Sequence, residues 1–353
     1  MRKAMPALLL SASCALSACS EESVLSDAPP SETRAAPTSA ASGDAAPPDV
    51  APEDVRARAA ATLMPPALNY EDARAKLEAG VGGLFIPSWA DPELLSDGPR
   101  GVNALREEMG RDFEVSIDFE GGRVQRFSEI LGDYPSPQAM AEGHSPEEVE
   151  ALATEIGHSL RAHGVTVDFA PVLDVDGGDL EVVGDRAFST DPEAAGEYGA
   201  AFARGLQAAG VKAVFKHFPG HGRASGDTHL GEAVTPLLEE LSGHEFVPFH
   251  TAIPQAPDAA LMMGHLVVPG LGDEPASLNP RAYQLAREEL GFEGTIYTDD
   301  LGGMASISEN FSVPEAVAAA LAAGADMPLW STDDDINAVI DAAAEVVAQH
   351  EGD

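Results

Sequence analysis

Short apolar runs alternate with amphipathic stretches along most of the chain after Val55. The predicted strands are 82–86, 114–118, 165–172, 211–218, 259–266, 294–298 and 325–330, with a weaker candidate at 61–68. Such continuous hydrophobicity over five to eight residues is typical of parallel strands that are covered on both faces. We therefore expect a parallel β-sheet with helices packed against it.

The stretches between the predicted strands carry helix start and stop signals. Three of them, 145–164, 191–210 and 279–291, begin with Ser, Asp or Asn followed by proline, and each ends at a glycine. These residues favour helix N-caps, first turns and C-termini. Seven or eight β-then-α units in ~300 residues favour a (β/α)8 barrel over a doubly wound sheet. No glycine-rich dinucleotide-binding sequence follows a predicted strand, which weakens the doubly wound alternative further.

The first 54 residues differ in character from the rest. Arg2 and Lys3 precede a short apolar stretch that ends in Leu-Ser-Ala-Cys19, which resembles a bacterial lipoprotein signal with Cys19 as the lipidated residue. An ordinary cleaved signal is the alternative. The following residues are mostly Ser, Ala, Pro and acidic, a composition typical of a disordered tether. We predict a signal peptide at 1–18, a tether at 19–54 and one barrel domain at 55–353.

The charge balance limits the partners that the protein can have. The chain has 59 acidic and 20 basic residues, and its formal net charge is −39. This charge repels the phosphate backbone of nucleic acids, so we expect no nucleic-acid partner. The predicted lipid anchor makes the membrane a partner, with the protein exported and held at the bacterial cell envelope.

Polar residues stand at the ends of several predicted strands. Asp118 ends one strand, Lys216 and His217 end another, and His265 and the pair Asp299-Asp300 end two more. In a (β/α)8 barrel the carboxyl ends of all strands meet at one face, where the active site lies. We therefore expect these side chains to converge.

The segment "KHFPGHGRASGDTH" at 216–229 permits three kinds of site. His217, His221, Asp227 and His229 could ligate zinc, but nearby proline and glycines argue against a helix that would place them on one side. A phosphate-binding turn is the second possibility. In the third, Asp227 and His229, two residues apart in an extended segment, point the same way and act as an acid–base pair, while His221 braces the loop.

Five segments together resemble the bacterial family 3 glycoside hydrolases, and within them the β-N-acetylglucosaminidase (β-hexosaminidase) branch. They are "IDFEGGRVQRF", "GDRAFSTDP", "KHFPGHGRASGDTH", "PASLNP" and "LGFEGTIYTDDL", in the order of the family. The resemblance extends over about 81–330, most of the predicted domain. It implies that 55–353 is a single catalytic (β/α)8 domain.

The resemblance also implies roles for individual residues. Asp299 matches the catalytic nucleophile, and His229 matches the acid/base with Asp227 as its partner. The positions matching sugar-binding residues are Asp118, Arg126, Arg186, Lys216 and His217. No metal and no cofactor are implied. Two departures, Phe119 where the family commonly has glutamine and "LGGM" after Asp300, leave the catalytic groups in place.

The activity implied is that of a retaining, exo-acting β-N-acetylglucosaminidase. It would hydrolyse terminal β-linked GlcNAc, with peptidoglycan-derived muropeptides as the expected source, through a covalent glycosyl-aspartate and a histidine acid/base. Two alternatives stay open. A phosphorylase would use phosphate as the acceptor, and a non-catalytic lipoprotein would bind the carbohydrate without turnover.

Overall fold

The computed structural model describes residues 52–175 and 180–350. The predicted signal peptide, Cys19 and most of the predicted tether therefore lie outside the described residues. The first described helix begins at Pro52, within the predicted tether. Among the described residues, no helix is long and apolar enough to cross a membrane.

In the part of the chain that the structure describes, ten short strands form one main sheet and two small ones. The strands are β1 (Gly83–Phe85), β2 (Glu114–Ile117), β3 (Phe119–Gly121), β4 (Val124–Gln125), β5 (Val167–Asp168), β6 (Lys212–Phe218), β7 (Ala233–Val234), β8 (Ala260–Met263), β9 (Leu266–Val267) and β10 (Ile296–Thr298). The main sheet has six strands in the order β1-β2-β5-β6-β8-β10, and every neighbouring pair is parallel. The predicted parallel sheet is confirmed, and it is curled.

Two further segments pair at the edges of this sheet without forming regular strands. Pro66 pairs with Phe85 of β1, and Tyr297 of β10 pairs with Met327. The two segments also pair with each other, through Met64 and Leu329. All three bridges are parallel, and each involves a residue of the predicted strand 61–68 or 325–330.

Thirteen α-helices among the described residues accompany the strands. They are α1 (Pro52–Ala61), α2 (Tyr70–Glu78), α3 (Val102–Met109), α4 (Ser128–Leu131), α5 (Pro137–Gly143), α6 (Pro146–Ala162), α7 (Pro192–Ala208), α8 (Leu238–Leu241), α9 (Val247–Ala252), α10 (Pro280–Glu288), α11 (Ala305–Ser308), α12 (Val313–Ala323) and α13 (Ile336–His350). Short 3-10 helices occupy Pro92–Leu95, Gly184–Arg186, Ile253–Gln255 and Ala276–Leu278.

The three predicted helix starts are confirmed by their caps. Ser145 and Glu148 form a capping box at the start of α6. The Asp191 carboxylate accepts a hydrogen bond from the Ala194 N–H at the start of α7. The Asn279 side chain caps α10 in the same way.

The core has two parts, one on each face of the curled sheet. Strand residues such as Leu84, Phe215 and Leu261 pack against the helices in the larger part. The smaller part is formed by Met64, Phe85, Val167, Phe169, Val214, Ala260, Met262, Tyr297 and Leu329. Successive strand residues point to opposite faces, which explains why neighbours such as Leu261 and Met262 belong to different parts. The smaller part supplies the apolar floor of the site described next.

Candidate active site

A cavity of about 570 Å³ lies at the carboxyl ends of the strands. Its floor includes Phe85, Phe169 and Leu329 from the smaller part of the core. All the proposed catalytic and sugar-binding residues line it, namely Asp118, Arg126, Arg186, Lys216, His217, Asp227, His229 and Asp299. The structure therefore brings together side chains that are up to 181 positions apart in the sequence. This size is typical of a pocket for a small ligand.

Asp299 follows β10 and faces the cavity with a side chain that is 13% exposed. Its Oδ1 accepts a hydrogen bond from the Asp300 N–H at 2.9 Å, and its Oδ2 lies 3.9 Å from His217 Nε2. Burial opposes the charged form, but the charges of His217 and His265 and the Asp300 N–H hold the pKa of Asp299 below its ordinary value. The carboxylate is therefore ionised at neutral pH, as a nucleophile must be.

His217 is held from behind by Asp174, a residue that the sequence analysis missed. His217 Nδ1 lies 2.6 Å from Asp174 Oδ2, and Asp174 Oδ1 accepts a hydrogen bond from the His221 N–H at 2.7 Å. Burial would raise the pKa of Asp174, but the neighbouring His217 lowers it to about 2. The ionised carboxylate fixes a proton on Nδ1 and directs Nε2 of His217 towards Asp299.

A buried group of ion pairs forms one side of the site. Lys216 Nζ lies 2.6 Å from Glu120 Oε1 and 2.9 Å from Asp118 Oδ1. Arg186 Nε and Nη2 donate hydrogen bonds to the two Glu120 oxygens, each at 2.7 Å. Burial disfavours the Glu120 carboxylate, yet Arg186 and Lys216 hold its pKa far below the usual range. Glu120 thus fixes two of the cations that border the cavity, Lys216 and Arg186.

The sequence analysis gave Glu120 no role, although the residue stands in the quoted segment "DFEGGR". It lies in β3, which begins directly after the proposed binding residue Asp118, while β2 ends at Ile117. A glutamate with no exposed surface needs buried cations beside it. The sequence alone does not show that Glu120 is buried, so it could not indicate that Glu120 needs cations beside it.

Asp227 and His229 form the predicted pair, but the local backbone is a turn and not an extended segment. The Leu230 N–H donates to the Asp227 carbonyl at 2.9 Å, which closes the turn. His229 Nδ1 lies 2.7 Å from Asp227 Oδ1, which also accepts a hydrogen bond from the His229 N–H. Burial raises the pKa of Asp227, but these two hydrogen bonds outweigh it and the pKa is lowered. The pair lines the cavity, with His229 half exposed.

His221, which we expect to brace the loop, makes its hydrogen bonds through the backbone and not through the ring. Its side chain is buried, and neither ring nitrogen has a hydrogen-bond partner among the described residues. The ring packs edge-on against His217, with the ring centres 6.3 Å apart. The backbone of His221 is fixed on both sides, since its N–H donates to Asp174 and its carbonyl accepts a hydrogen bond from the Ala224 N–H at 3.0 Å.

Asp300 and His265 have structural contacts. Asp300 Oδ1 accepts hydrogen bonds from the backbone of Gly302, Gly303 and Ser331, and Oδ2 contacts the Ser331 hydroxyl. His265 Nε2 donates to the Asp300 carbonyl at 2.9 Å, while Nδ1 lies 2.7 Å from the Ser277 hydroxyl. Through these hydrogen bonds both side chains stabilise the backbone that follows β10.

The two departures from the family pattern have different positions. Phe119 has no exposed surface and packs against Tyr134, outside the cavity lining. Gly303 and Met304 of "LGGM" do line the cavity. Trp89 also lines it, at the rim, with 64% of its surface exposed. Sequence differences at Gly303 and Met304 can therefore change the shape of the cavity, and Phe119 cannot do so directly.

No group of three or more His, Cys, Asp or Glu side chains within 52–175 and 180–350 has an arrangement that could hold a metal ion. Two of the histidines in the segment 216–229 instead have an aspartate beside Nδ1, Asp174 for His217 and Asp227 for His229. The arrangement is that of two separate Asp–His pairs.

Comparison with known proteins gives consistent relatives. Residues 58–351 match the glycosyl hydrolase family 3 N terminal domain. The beta-hexosaminidase LpqI of Mycobacterium tuberculosis is 43% identical over 295 residues, which cover 81% of this chain and 73% of the relative. A solved glycosyl hydrolase of family GH3 from Mycobacterium smegmatis is 43% identical with a TM-score of 0.79, covering 84% of this chain and 92% of the other. A family 3 beta-N-acetylglucosaminidase from Paenibacillus is 31% identical with a TM-score of 0.77, covering 84% and 58%.

Proposed function

This chain belongs to glycosyl hydrolase family 3 and is a glycosidase of the beta-hexosaminidase type, and we propose that it is a retaining, exo-acting β-N-acetylglucosaminidase. One observation carries the mechanism. The ionised Asp299 and the Asp227–His229 pair line the same sugar-sized cavity. A retaining glycosidase needs a carboxylate nucleophile and a separate proton donor on opposite sides of the scissile bond.

In the first step, Asp299 attacks the anomeric carbon and protonated His229 gives its Nε2 proton to the departing oxygen. The products are a glycosyl-aspartate ester and the freed aglycone. In the second step, His229 takes a proton from the acceptor as the acceptor oxygen attacks the same carbon, and Asp299 is released. Asp227 accepts the hydrogen bond from His229 Nδ1 in both steps, which keeps Nε2 directed at the reacting oxygen.

The sugar itself is proposed to bind through the charged side chains around Asp299. Asp118 accepts hydrogen bonds from sugar hydroxyls, while Lys216 and Arg126 donate to them. His217 presents Nε2 to the same space because Asp174 holds its other nitrogen. Glu120 keeps Lys216 and Arg186 in place when the cavity is filled.

The activity test is a panel of aryl β-glycosides, with GlcNAc and glucose as the sugar, run in phosphate and in phosphate-free buffer. We expect turnover of the GlcNAc compound in both buffers, with β-GlcNAc as the first product by NMR. A first product of α configuration would contradict the retaining mechanism. Formation of GlcNAc phosphate would favour a phosphorylase, and binding of the sugar without turnover would favour a carbohydrate-binding lipoprotein.

The natural substrate is proposed to be the GlcNAc end of peptidoglycan-derived muropeptides. The proposal is supported by the predicted export to the cell envelope, where such fragments arise. Digestion of purified muropeptides should release free GlcNAc and leave the MurNAc-peptide intact. Release of internal fragments without free GlcNAc would contradict exo action.

The sheet is proposed to close into a complete (β/α)8 barrel. The three parallel bridges that connect β1 and β10 through Met64, Pro66, Met327 and Leu329 support this closure. They supply the seventh and eighth strand positions, at the places predicted from the sequence. The proposal also explains why the smaller part of the core combines residues of both segments with residues of the sheet.

The protein is proposed to be attached to the membrane through a lipid on Cys19. Replacing Cys19 with Ala should move the protein from the membrane fraction to the soluble fraction after cell disruption, because the anchor is lost. The rate of aryl β-GlcNAc hydrolysis per molecule should stay the same. A variant that still sediments with membranes would contradict the lipid anchor.

A further inference from the structure

Trp89 is an exposed aromatic residue that the proposed mechanism does not use. Single exposed apolar side chains are ordinary on a protein surface. Of the five large apolar side chains that are exposed among the described residues, however, only Trp89 lines the large cavity. Its indole has no stacking or cation–π partner in the described part of the chain. An aromatic face that is free in a cavity wall is a contact surface for a ligand.

The backbone around Trp89 is fixed on both sides of the residue. Trp89 lies in a turn after β1, which is closed by a hydrogen bond of 3.0 Å from the Ala90 N–H to the Pro87 carbonyl. The next N–H, of Asp91, donates to the Leu68 carbonyl at 2.8 Å, and Ala90 itself is buried. The indole is therefore presented from a rigid position, which lowers the entropy cost of binding a ligand there.

The side chains proposed to hold the sugar are more deeply buried than Trp89. Those of Lys216, His217 and Asp299 are 2%, 9% and 13% exposed. Trp89 is 64% exposed, and the side chain of the proposed proton donor His229 is 51% exposed. An exo-acting glycosidase takes the terminal sugar into the inner part of its cavity, so the group attached to that sugar extends towards the opening. Trp89 and His229 border the opening, where this leaving group lies.

We propose that Trp89 is the stacking surface for the leaving-group sugar, the ring that is bonded through the departing oxygen. The inference rests on the proposed function and names the substrate class more closely. One face of a pyranose ring consists mainly of C–H groups, which pack on an indole while the hydroxyls at the ring edge stay in water. The site therefore selects glycosides that carry a second sugar ring, which is MurNAc in the proposed muropeptide substrate.

The first test compares a substrate that has a second sugar ring with one that lacks it. The substrates are N,N′-diacetylchitobiose and methyl β-GlcNAc, and the measured quantity is the ratio of their kcat/KM values. This ratio is independent of the fraction of active enzyme. Trp89→Ala and Trp89→Gln both remove the aromatic face, so one replaces the other if a variant fails to fold. Trp89→Phe keeps an aromatic face. Leu237→Ala, at an exposed apolar residue outside the cavity lining, is the control.

We expect the ratio to fall about fivefold or more in Trp89→Ala and Trp89→Gln, the size of one lost stacking contact. It should fall less in Trp89→Phe and stay at the wild-type value in Leu237→Ala. A merely structural role of Trp89 would change the two kcat/KM values together and leave the ratio unchanged. A ratio within twofold of the wild type in both Trp89→Ala and Trp89→Gln would overturn the inference.

The second test detects the contact without turnover. Asp299→Ala is saturated with N,N′-diacetylchitobiose or with GlcNAc, and acrylamide quenching of tryptophan fluorescence is measured. The chain has two tryptophans, and Trp330 is buried, so quenching reports on Trp89. We expect the disaccharide to protect Trp89 from acrylamide and GlcNAc to protect it much less. Equal protection by both sugars, or protection by neither, would overturn the inference. Absence of wild-type turnover of both substrates would overturn the proposed function instead.

Discussion

Lys216 illustrates how individual charges are balanced in this site. Its ammonium group is buried between Asp118 and Glu120, and Glu120 also binds Arg186 through both oxygens. Burial lowers the pKa of Lys216, but the two carboxylates more than offset this and raise it. Removing one partner of a buried ion pair leaves the other charge buried without compensation. The resulting loss of unfolding free energy is far larger than the net stabilisation that the intact pair provides.

Glu120→Gln tests this balance. We expect the variant to lose ~3 kcal/mol of unfolding free energy, because Arg186 and Lys216 lose their shared negative partner. The measurement is urea denaturation followed by circular dichroism. Glu129→Gln, an exposed position in α4, is the matched control and should be neutral. Equal stability of Glu120→Gln and Glu129→Gln would contradict the role assigned to Glu120.

Asp168 is also a buried carboxyl group, but its pKa is raised, whereas that of Glu120 is lowered. Its side chain is fully buried in β5, Oδ1 accepts from the Phe119 N–H, and Oδ2 has no partner among the described residues. Burial raises its pKa well above the ordinary 3.8, and the charges of Asp118 and Glu120 add to this. The folded protein therefore binds a proton at a pH where the unfolded chain has released it.

Asp168→Asn should consequently become more stable than the wild type as the pH rises. From pH 4 upwards the wild type loses stability, by at most ~1.4 kcal/mol per pH unit, until the raised pKa is reached. Asparagine has no proton to lose, so the difference in unfolding free energy grows from pH 4 to pH 7. Urea denaturation at four pH values measures it. Parallel pH profiles would show that Asp168 is ionised in the folded state.

The loop after β6 is the element that carries the proposed acid/base. It is fixed at its base, where Arg223 binds both oxygens of the buried Glu245 at 2.6 Å. It is fixed again near its tip, where the Thr228 carbonyl accepts a hydrogen bond from Ser306. A side chain at Gly222 would place its Cβ 1.6 Å from the Val175 carbonyl oxygen, so only glycine fits there. These contacts place His229 at the cavity while leaving its ring half exposed.

His229→Ala tests the function of this loop. We expect hydrolysis of β-GlcNAc glycosides with alkyl leaving groups to slow by ~10²–10⁴-fold, since these groups need a proton as they depart. Formation of the glycosyl-enzyme from a dinitrophenyl glycoside should slow much less. Leu230→Ala, at the exposed neighbouring position, is the control. Equal losses for both kinds of leaving group would argue against acid catalysis by His229.

At the scale of the whole molecule, hydrophobic pattern and capping residues were sufficient to predict the parallel sheet and the main helices. The segments 325–330 and 61–68, the second a weaker candidate, were also predicted as strands, and in the structure they pair through isolated bridges. Residues at strand ends, such as Asp118 and Asp299, were predictable because parallel strands end at one face. The family resemblance, confirmed by the comparisons, supplied the roles.

Some residues of the site could not be predicted because their meaning depends on three-dimensional burial. Asp174 stands in an otherwise apolar run, and only the fold places it 2.6 Å from the His217 ring. The two unpaired nitrogens of His221 and the neutral carboxyl of Asp168 likewise follow from what surrounds them. The sequence gives the type and spacing of the side chains. It does not give the partners of a buried group, because these come from elements that are distant in the chain.

The most direct test of the account is the rate of aryl β-GlcNAc hydrolysis by Asp299→Ala. Asp333→Ala, a change at an exposed aspartate near the carboxyl end of the sheet, is the control. Because the nucleophile is lost, we expect the rate to fall by at least ~10³-fold, with the circular dichroism spectrum unchanged and full activity in Asp333→Ala. A correctly folded Asp299→Ala that retains near wild-type turnover would contradict the account.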